Sequence, residues 1–185
     1  LRMTFEIFTT ARLQLRRISA ADFKDIFQND SKPAIMQLLG LQTEAEYEKE
    51  LDKFQQGHSM YNKSLLTFQL IDPQTNQVLG NAGFHNWSFD HKRAEIGYSL
   101  KSDEYKGKGL MSEVVPFIIH YGFTEMNLQR IEAMVGPNNI PSLRLMEKNH
   151  FTREGLLRKH YYVDDHWEDS VVFSLLKEEY DQTNS

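Results

Sequence analysis

The chain has 185 residues, 40% of them hydrophobic and 25% charged, a formal net charge of −5 and no cysteine. That length fits one domain with a sizeable core. The acidic balance argues against non-specific binding to nucleic acid or to an anionic membrane surface, and mildly favours a cationic or neutral substrate. Without cysteine there is no disulfide, thiolate metal site or cysteinyl acyl-enzyme. No apolar run approaches the ~18 residues of a membrane span, and Arg2, Glu6 and Arg12 interrupt any signal-peptide-like apolar core near the start. A soluble cytoplasmic protein is expected.

In chain order, Arg12 to Ile18 alternates apolar Leu13, Leu15 and Ile18 with polar residues and predicts a strand. Ser19 is placed to cap a helix whose stripe is Ala21, Phe23, Ile26 and Phe27. A second helix is predicted from Pro33 to Leu39, and a third, charged one from a Thr43/Glu46 capping box to about Gly57. Strands follow at Ser64 to Ile71, Gln77 to Trp87 and Arg93 to Leu100, the first closed by the turn pair Asp72-Pro73. A glycine-bearing loop, Lys106 to Gly109, leads into a helix carrying Val114, Val115, Ile118, Ile119 and Phe123. Pro116 lies inside it and predicts a bend, since proline removes one helical hydrogen bond. Then come a strand at Arg130 to Val135, a helix at Asn139 to Asn149, and two closing strands, Phe151 to Tyr162 and His166 to Leu176, with Asp164 and Asp165 as their turn. Hairpins early and alternation of strand with helix late predict a mixed α/β sheet within one domain spanning residues 1–185.

The informative stretch is Ala94 to Met111, AEIGYSLKSDEYKGKGLM. A strand feeds a loop with Gly107 and Gly109, and the loop opens a helix. Glycine permits close backbone approach to a ligand, and a helix N-terminus offers unpaired N–H groups and the positive end of a dipole. The combination is an anion site suited to phosphate, with Lys106 and Lys108 adding charge; the plain alternative is a strand–turn–helix with two turn glycines. It is neither the GxxxxGK[ST] loop nor GxGxxG after a first strand. No histidine spacing resembles HExxH, and no metal site is expected.

Taken in order, AEIGY, YKGKGLM, LQRIEAMV and NNIPSLRLMEKNHFTREG resemble the GNAT superfamily of N-acetyltransferases, and within it the Rim-type ribosomal-protein N-terminal (alanine/serine) acetyltransferases. The resemblance implies a centrally splayed sheet of six to seven strands flanked by helices, with acetyl-CoA as co-substrate. It implies that backbone N–H groups of Lys106, Gly107, Lys108, Gly109, Leu110 and Met111 bind the coenzyme A diphosphate. Backbone groups of Ile96, Gly97, Tyr98 and Ser99 would meet the acetyl carbonyl and pantetheine arm where two strands part, and Asn139 would contact that arm. Lys106 stands where the family usually has Gln or Arg, and Met111 where it usually has Gly or Ala. Dimerisation is implied by resemblance only.

Transfer to an amine requires a base for the ammonium proton, stabilisation of the oxyanion and a proton for the leaving thiolate. An N-terminal amine, with pKa ~8, makes a smaller demand on the base than lysine at ~10.4. Glu95, two residues before Gly97 and on the same face of its strand, is the expected base; the alternative is a carboxylate tied to Arg93 or shaping the cleft. Ser142 is the expected thiol-proton donor. The helix tyrosine of many relatives is replaced by Met146, and Asn139-Ile140-Pro141-Ser142 matches the Rim-type Asn-x-x-Ser. A second glutamate of Rim relatives falls at Tyr161. His85 is placed near the cleft, on the strand beside Glu95. The expected acceptor is the α-amine of a protein or peptide, with a small amine (polyamine or aminoglycoside) and a non-catalytic CoA-binding module as rival readings.

Overall fold

The computed structural model describes residues 4–56 and 64–184. Its elements are β1 (Ile7–Thr9), β2 (Gln14–Ser19), α1 (Ala20–Asn29), α2 (Lys32–Leu39), α3 (Glu44–Gln56), β3 (Ser64–Ile71), β4 (Val78–Ser88), β5 (Arg93–Leu100), α4 (Leu110–Thr124), β6 (Arg130–Val135), α5 (Ile140–Lys148), β7 (Thr152–Val163), β8 (His166–Leu176) and α6 (Lys177–Thr183). The strands form one sheet in the order β1-β2-β3-β4-β5-β6-β8-β7. Every neighbouring pair is antiparallel except β5 and β6. The eight strands exceed the six to seven expected; the short edge strand β1 was not anticipated, and neither was α6.

Local chemistry explains the boundaries. Ser19 ends β2 and caps α1, its hydroxyl accepting from the Asp22 N–H while the Asp22 carboxylate accepts from the Ser19 N–H. At α3, Thr43 accepts from the Glu46 N–H as expected, but the Glu46 carboxylate takes the Gln42 N–H instead of that of Thr43. The expected end of α3 at Gly57 lies outside the described residues. Asp164 and Asp165 both have positive φ, 47° and 61°, the geometry of a two-residue turn whose twist matches that of the β7–β8 hairpin.

Helix α4 runs continuously across Pro116. The Ser112 carbonyl, which loses its helical partner there, belongs to an exposed residue, so water can satisfy it. The buried face of α4, with Val114, Val115, Ile118, Ile119 and Phe123, packs into the main core with Leu15, Phe68, Phe84 and Ile131 of the sheet. Contact is tightest at Gly122, where a Cβ would stand 2.6 Å from Phe84 Cζ. A smaller core joins Ile18 to Phe23, Ile26, Ile35 and Leu39 of α1 and α2. The charged helix α3 buries no residue completely, matching its reading as a solvated face. Phe84 is buried, but Tyr162 is exposed, standing on the hairpin against Trp167.

The two central strands run parallel for only three residue pairs, Arg93↔Arg130, Ala94↔Ile131 and Glu95↔Glu132. β5 continues to Leu100 and β6 to Val135 with no further pairing. The splay therefore opens immediately after Glu95, where the resemblance located it.

Candidate active site

Two cavities meet at the splay. The first, of 560 Å³, lies between the end of β5, the loop before α4 and the start of α5. Tyr98, Ser99, Lys106, Gly107, Gly109, Leu110, Met111, Asn139 and Ser142 line it, nine of the residues singled out in the sequence. Gly107 and Gly109 adopt φ of 71° and 75°, a left-handed conformation that is strained with any side chain. A Cβ at Gly107 would have nothing within 4 Å; backbone conformation, and not crowding by the protein, demands glycine there. Gly109 is the N-cap of α4, so the first N–H groups of the helix are free of helical partners at the cavity wall.

The lysines play unequal parts. Lys106 lines the cavity, but its ammonium is 2.5 Å from the Asp103 carboxylate. Lys108 does not line it: its ammonium lies over the Tyr105 ring, and its carbonyl accepts from Arg12. Arg144 and Lys148, on the exposed side of α5, contribute cationic side chains that the sequence reading missed. Their spacing of four residues from each other, one helical turn, on the helix that Asn139 caps was the available signal.

The second cavity, of 290 Å³, lies in the splay itself, between β4, β5, β6 and β7. Glu95, Ile96, Gly97, His85 and Tyr161 line it, and Tyr98, Asn139 and Ser142 are shared with the first cavity. The two candidate catalytic residues thus border adjoining cavities, Ser142 lining both and Glu95 the second only. Asn139 caps α5, its Oδ1 accepting from the Ser142 N–H at 3.2 Å, which fixes the first turn that carries Ser142. Burial pushes the Tyr98 phenol up, outweighing the opposite effect of the nearby Ser142 hydroxyl. Tyr98, expected to contribute through its backbone, lines both cavities.

Glu95 is 8% exposed. Both of its oxygens are engaged, Oε1 with His85 Nε2 at 3.1 Å and Oε2 with Asn86 Nδ2 at 3.0 Å. Neighbouring strand residues normally point to opposite faces. Here the β4–β5 register shifts between His85 and Ser88, and Asn86 has φ of 50°. This bulge brings both side chains to one carboxylate. Burial pushes the Glu95 carboxyl up, but the hydrogen bond and charge of His85, the Asn86 amide and the charge of His160 together hold it below its ordinary value. Tyr161 is raised by burial and by the Glu95 charge. Arg93, weighed as a partner for Glu95, bonds Glu132 instead at 2.8 Å.

The chain has known relatives. Residues 12–152 match the model of the acetyltransferase (GNAT) domain. The chain is 36% identical over 176 residues to the uncharacterized N-acetyltransferase p20 of Bacillus licheniformis, covering 95% of this chain and 98% of that one. Over 113 residues, 60% of this chain and 58% of the relative, it is 32% identical to the ribosomal protein uS5-alanine N-acetyltransferase of Escherichia coli. A crystal structure of a GNAT-family acetyltransferase from Bacillus anthracis superposes with a TM-score of 0.64 at 29% identity, covering 94% of this chain and 100% of that one. With its parted central strands and its glycine loop capping α4, the chain belongs to the GNAT family and is an acetyl-CoA-dependent N-acetyltransferase.

Proposed function

We propose that the enzyme, acting as one domain, transfers an acetyl group directly from acetyl-CoA to the α-amine of a protein or peptide N-terminus within a ternary complex. The observation that carries this reading is the meeting of two cavities at Tyr98, Asn139 and Ser142. One has the glycine loop, a helix N-terminus and the cations Lys106, Arg144 and Lys148, a donor set that suits a diphosphate. The other is open and holds a carboxylate and an imidazole, which suits an amine about to lose a proton.

In this reading the loop from Lys106 to Met111 binds the diphosphate through backbone N–H groups, so Lys108 contributes without its ammonium. Asn139 and the backbone of Ile96, Gly97, Tyr98 and Ser99, unpaired on the β6 side, hold the pantetheine arm and polarise the thioester carbonyl. Ser142 gives the leaving thiolate its proton. Glu95 serves proton removal from the amine. The α-amine as acceptor is supported by the likeness to the uS5-alanine enzyme, and by the modest base strength that such an amine requires.

The test pairs binding with turnover. Acetyl-CoA at millimolar concentration should raise the thermal midpoint, because a ligand bound only by the native state stabilises it by mass action. Release of free CoA thiol should follow addition of peptides starting with alanine or serine, and should vanish when their N-termini are blocked. Turnover of spermidine or an aminoglycoside but of no peptide would overturn the acceptor. Tight CoA binding without turnover of any amine would overturn catalysis itself.

A further inference from the structure

We propose that His85 is a catalytic residue: its imidazole, held at Nε2 by Glu95, takes the acceptor proton on Nδ1. The inference rests on the acetyl-transfer reading above and names the atom that receives the proton.

Position comes first. His85 faces Glu95 across the β4–β5 ladder, and its side chain remains 46% exposed beside a carboxylate only 10% exposed. The ring lies along Gly97, where a Cβ would stand 3.1 Å from its Cε1 and 3.2 Å from its Nδ1. The missing side chain at Gly97 therefore admits the ring to the point where β5 leaves β6. The ring lines the splay cavity, with Nε2 turned to Glu95 and Nδ1 beside Gly97, a residue of the same cavity lining.

Tautomer follows from position. An ionised carboxylate only accepts hydrogen bonds. Glu95 is held ionised by its surroundings, so Nε2 must carry the hydrogen of a neutral ring, and Nδ1 keeps its lone pair toward the cavity. Glu95 itself is poorly placed to act as the base. It is buried, both oxygens are occupied, and its proton affinity is reduced. Among the described residues, the other titratable groups about the pair are Tyr98 on β5, which lines the same cavity, and His160 and Tyr161 on β7, which interact with the Glu95 charge. β6 offers only Ala133, Met134 and Val135 to the cavity.

The proton balance is complete. One ammonium proton passes to Nδ1 and on to solvent, freeing the nitrogen lone pair. That pair forms the C–N bond to the thioester carbonyl carbon as the C–S bond breaks. The nitrogen gives up a second proton through Nδ1, and the departing thiolate receives one from the Ser142 side. Glu95 is a positioning residue, stabilising the imidazolium that forms.

The test has two readouts. The first is the rate of thiol release against pH. His85→Gln should lower kcat by about a hundredfold and abolish the acid limb of the profile, while acetyl-CoA still raises its thermal midpoint. Added imidazole should restore part of the rate to His85→Ala, and Glu95→Gln should keep the limb at a reduced rate. The second readout needs no turnover. In protein labelled with 15N-histidine, the His85 signals, assigned by their loss in His85→Gln, should report the Nε2–H tautomer in wild type and a mixture in Glu95→Ala. An Nδ1–H tautomer in wild type overturns the proposal, as does an acid limb that survives in His85→Gln and disappears in Glu95→Gln. Absence of an acetyl-CoA thermal shift in wild type would instead sink the cofactor reading, and the tautomer spectrum would still decide the dyad.

Discussion

Arg12 and Glu113 are joined twice, the Arg12 N–H donating to Oε1 at 2.8 Å and its Nε to Oε2 at 2.7 Å, while Arg12 Nη1 donates to the Lys108 carbonyl at 2.9 Å. One side chain from the β1–β2 connection thus ties the first turn of α4 to the loop that precedes it. Thr10 adds a third donor to Glu113. The pair is half exposed on the arginine side, so it matters less for global stability than for holding the loop in shape. Arg12→Ala should weaken acetyl-CoA binding by roughly tenfold with kcat at saturation nearly unchanged, because preorganisation of a binding loop is lost and no reacting group is touched. Calorimetric titration with acetyl-CoA measures the first effect and steady-state kinetics the second. An unchanged affinity would show that the loop keeps its form without the clamp.

The nearness of the Tyr98 and Ser142 hydroxyls, both lining the two cavities, predicts coupled behaviour at the junction. If the two hydroxyls relay one proton to the thiolate, Ser142→Ala and Tyr98→Phe should each lower kcat by about 10- to 100-fold. The double variant should be little worse than the more damaged single one, since residues acting as a unit are not additive. Independent, multiplying losses in a double-mutant cycle would separate the roles and leave Ser142 as sole donor.

Legibility in the sequence varied with the range of the interaction. Alternation at Leu13, Leu15 and Ile18, the Ser19 cap and the Asp164-Asp165 turn are local signals, and the structure carries all three. β1 is three residues long, too short to show a period, and α6, KEEYDQT, lacks an apolar stripe. The glycine loop was legible because left-handed backbone selects glycine at Gly107 and Gly109. Arg12 was read as the outward face of a strand, yet it stands before β2 and reaches Glu113, a contact set only by tertiary packing. Of the two partners of Glu95, His85 was placed beside it from the sequence, and Asn86 was hidden for a related reason. A regular strand would turn His85 and Asn86 to opposite faces, and only the bulge unites them. Family resemblance supplied the splay; the three-pair ladder between β5 and β6 gives its physical form.

Gly109 tests whether conformation or space governs the loop. A Cβ there would meet only Arg12 Nη2, at 3.6 Å, an ordinary contact. With φ at 75°, Gly109→Ala should nevertheless cost about 1 kcal/mol, and acetyl-CoA affinity should fall because the N-cap of α4 shifts. Gly122→Ala makes the opposite case, since α4 tolerates alanine conformationally but the new methyl collides with Phe84. It should lower stability by about 1–3 kcal/mol in urea denaturation, with affinity preserved in the folded fraction. Equal behaviour of the two variants would contradict this division.

Glu154 provides the pH-dependent prediction. Arg130 grips its two oxygens and Ser174 donates a further hydrogen bond, so the carboxyl is held down at about 2. A carboxyl whose folded value lies below its unfolded one binds fewer protons in the native state, so the stability that it adds is present above the ordinary glutamate range. That stability fades as pH falls from about 4.5 toward 2. The side chain is 40% exposed, and solvent screening limits the contribution to roughly 1 kcal/mol. Wild type should therefore exceed Glu154→Gln in urea midpoint at pH 7, and the gap should narrow steeply as pH is lowered to 2.5. Other carboxylates titrate over the same interval in both proteins and cancel in the difference. A gap as large at pH 2.5 as at pH 7 would mean that Glu154 acts through packing or through the neutral hydrogen bond to Ser174, and that its ionic pairing with Arg130 contributes nothing measurable.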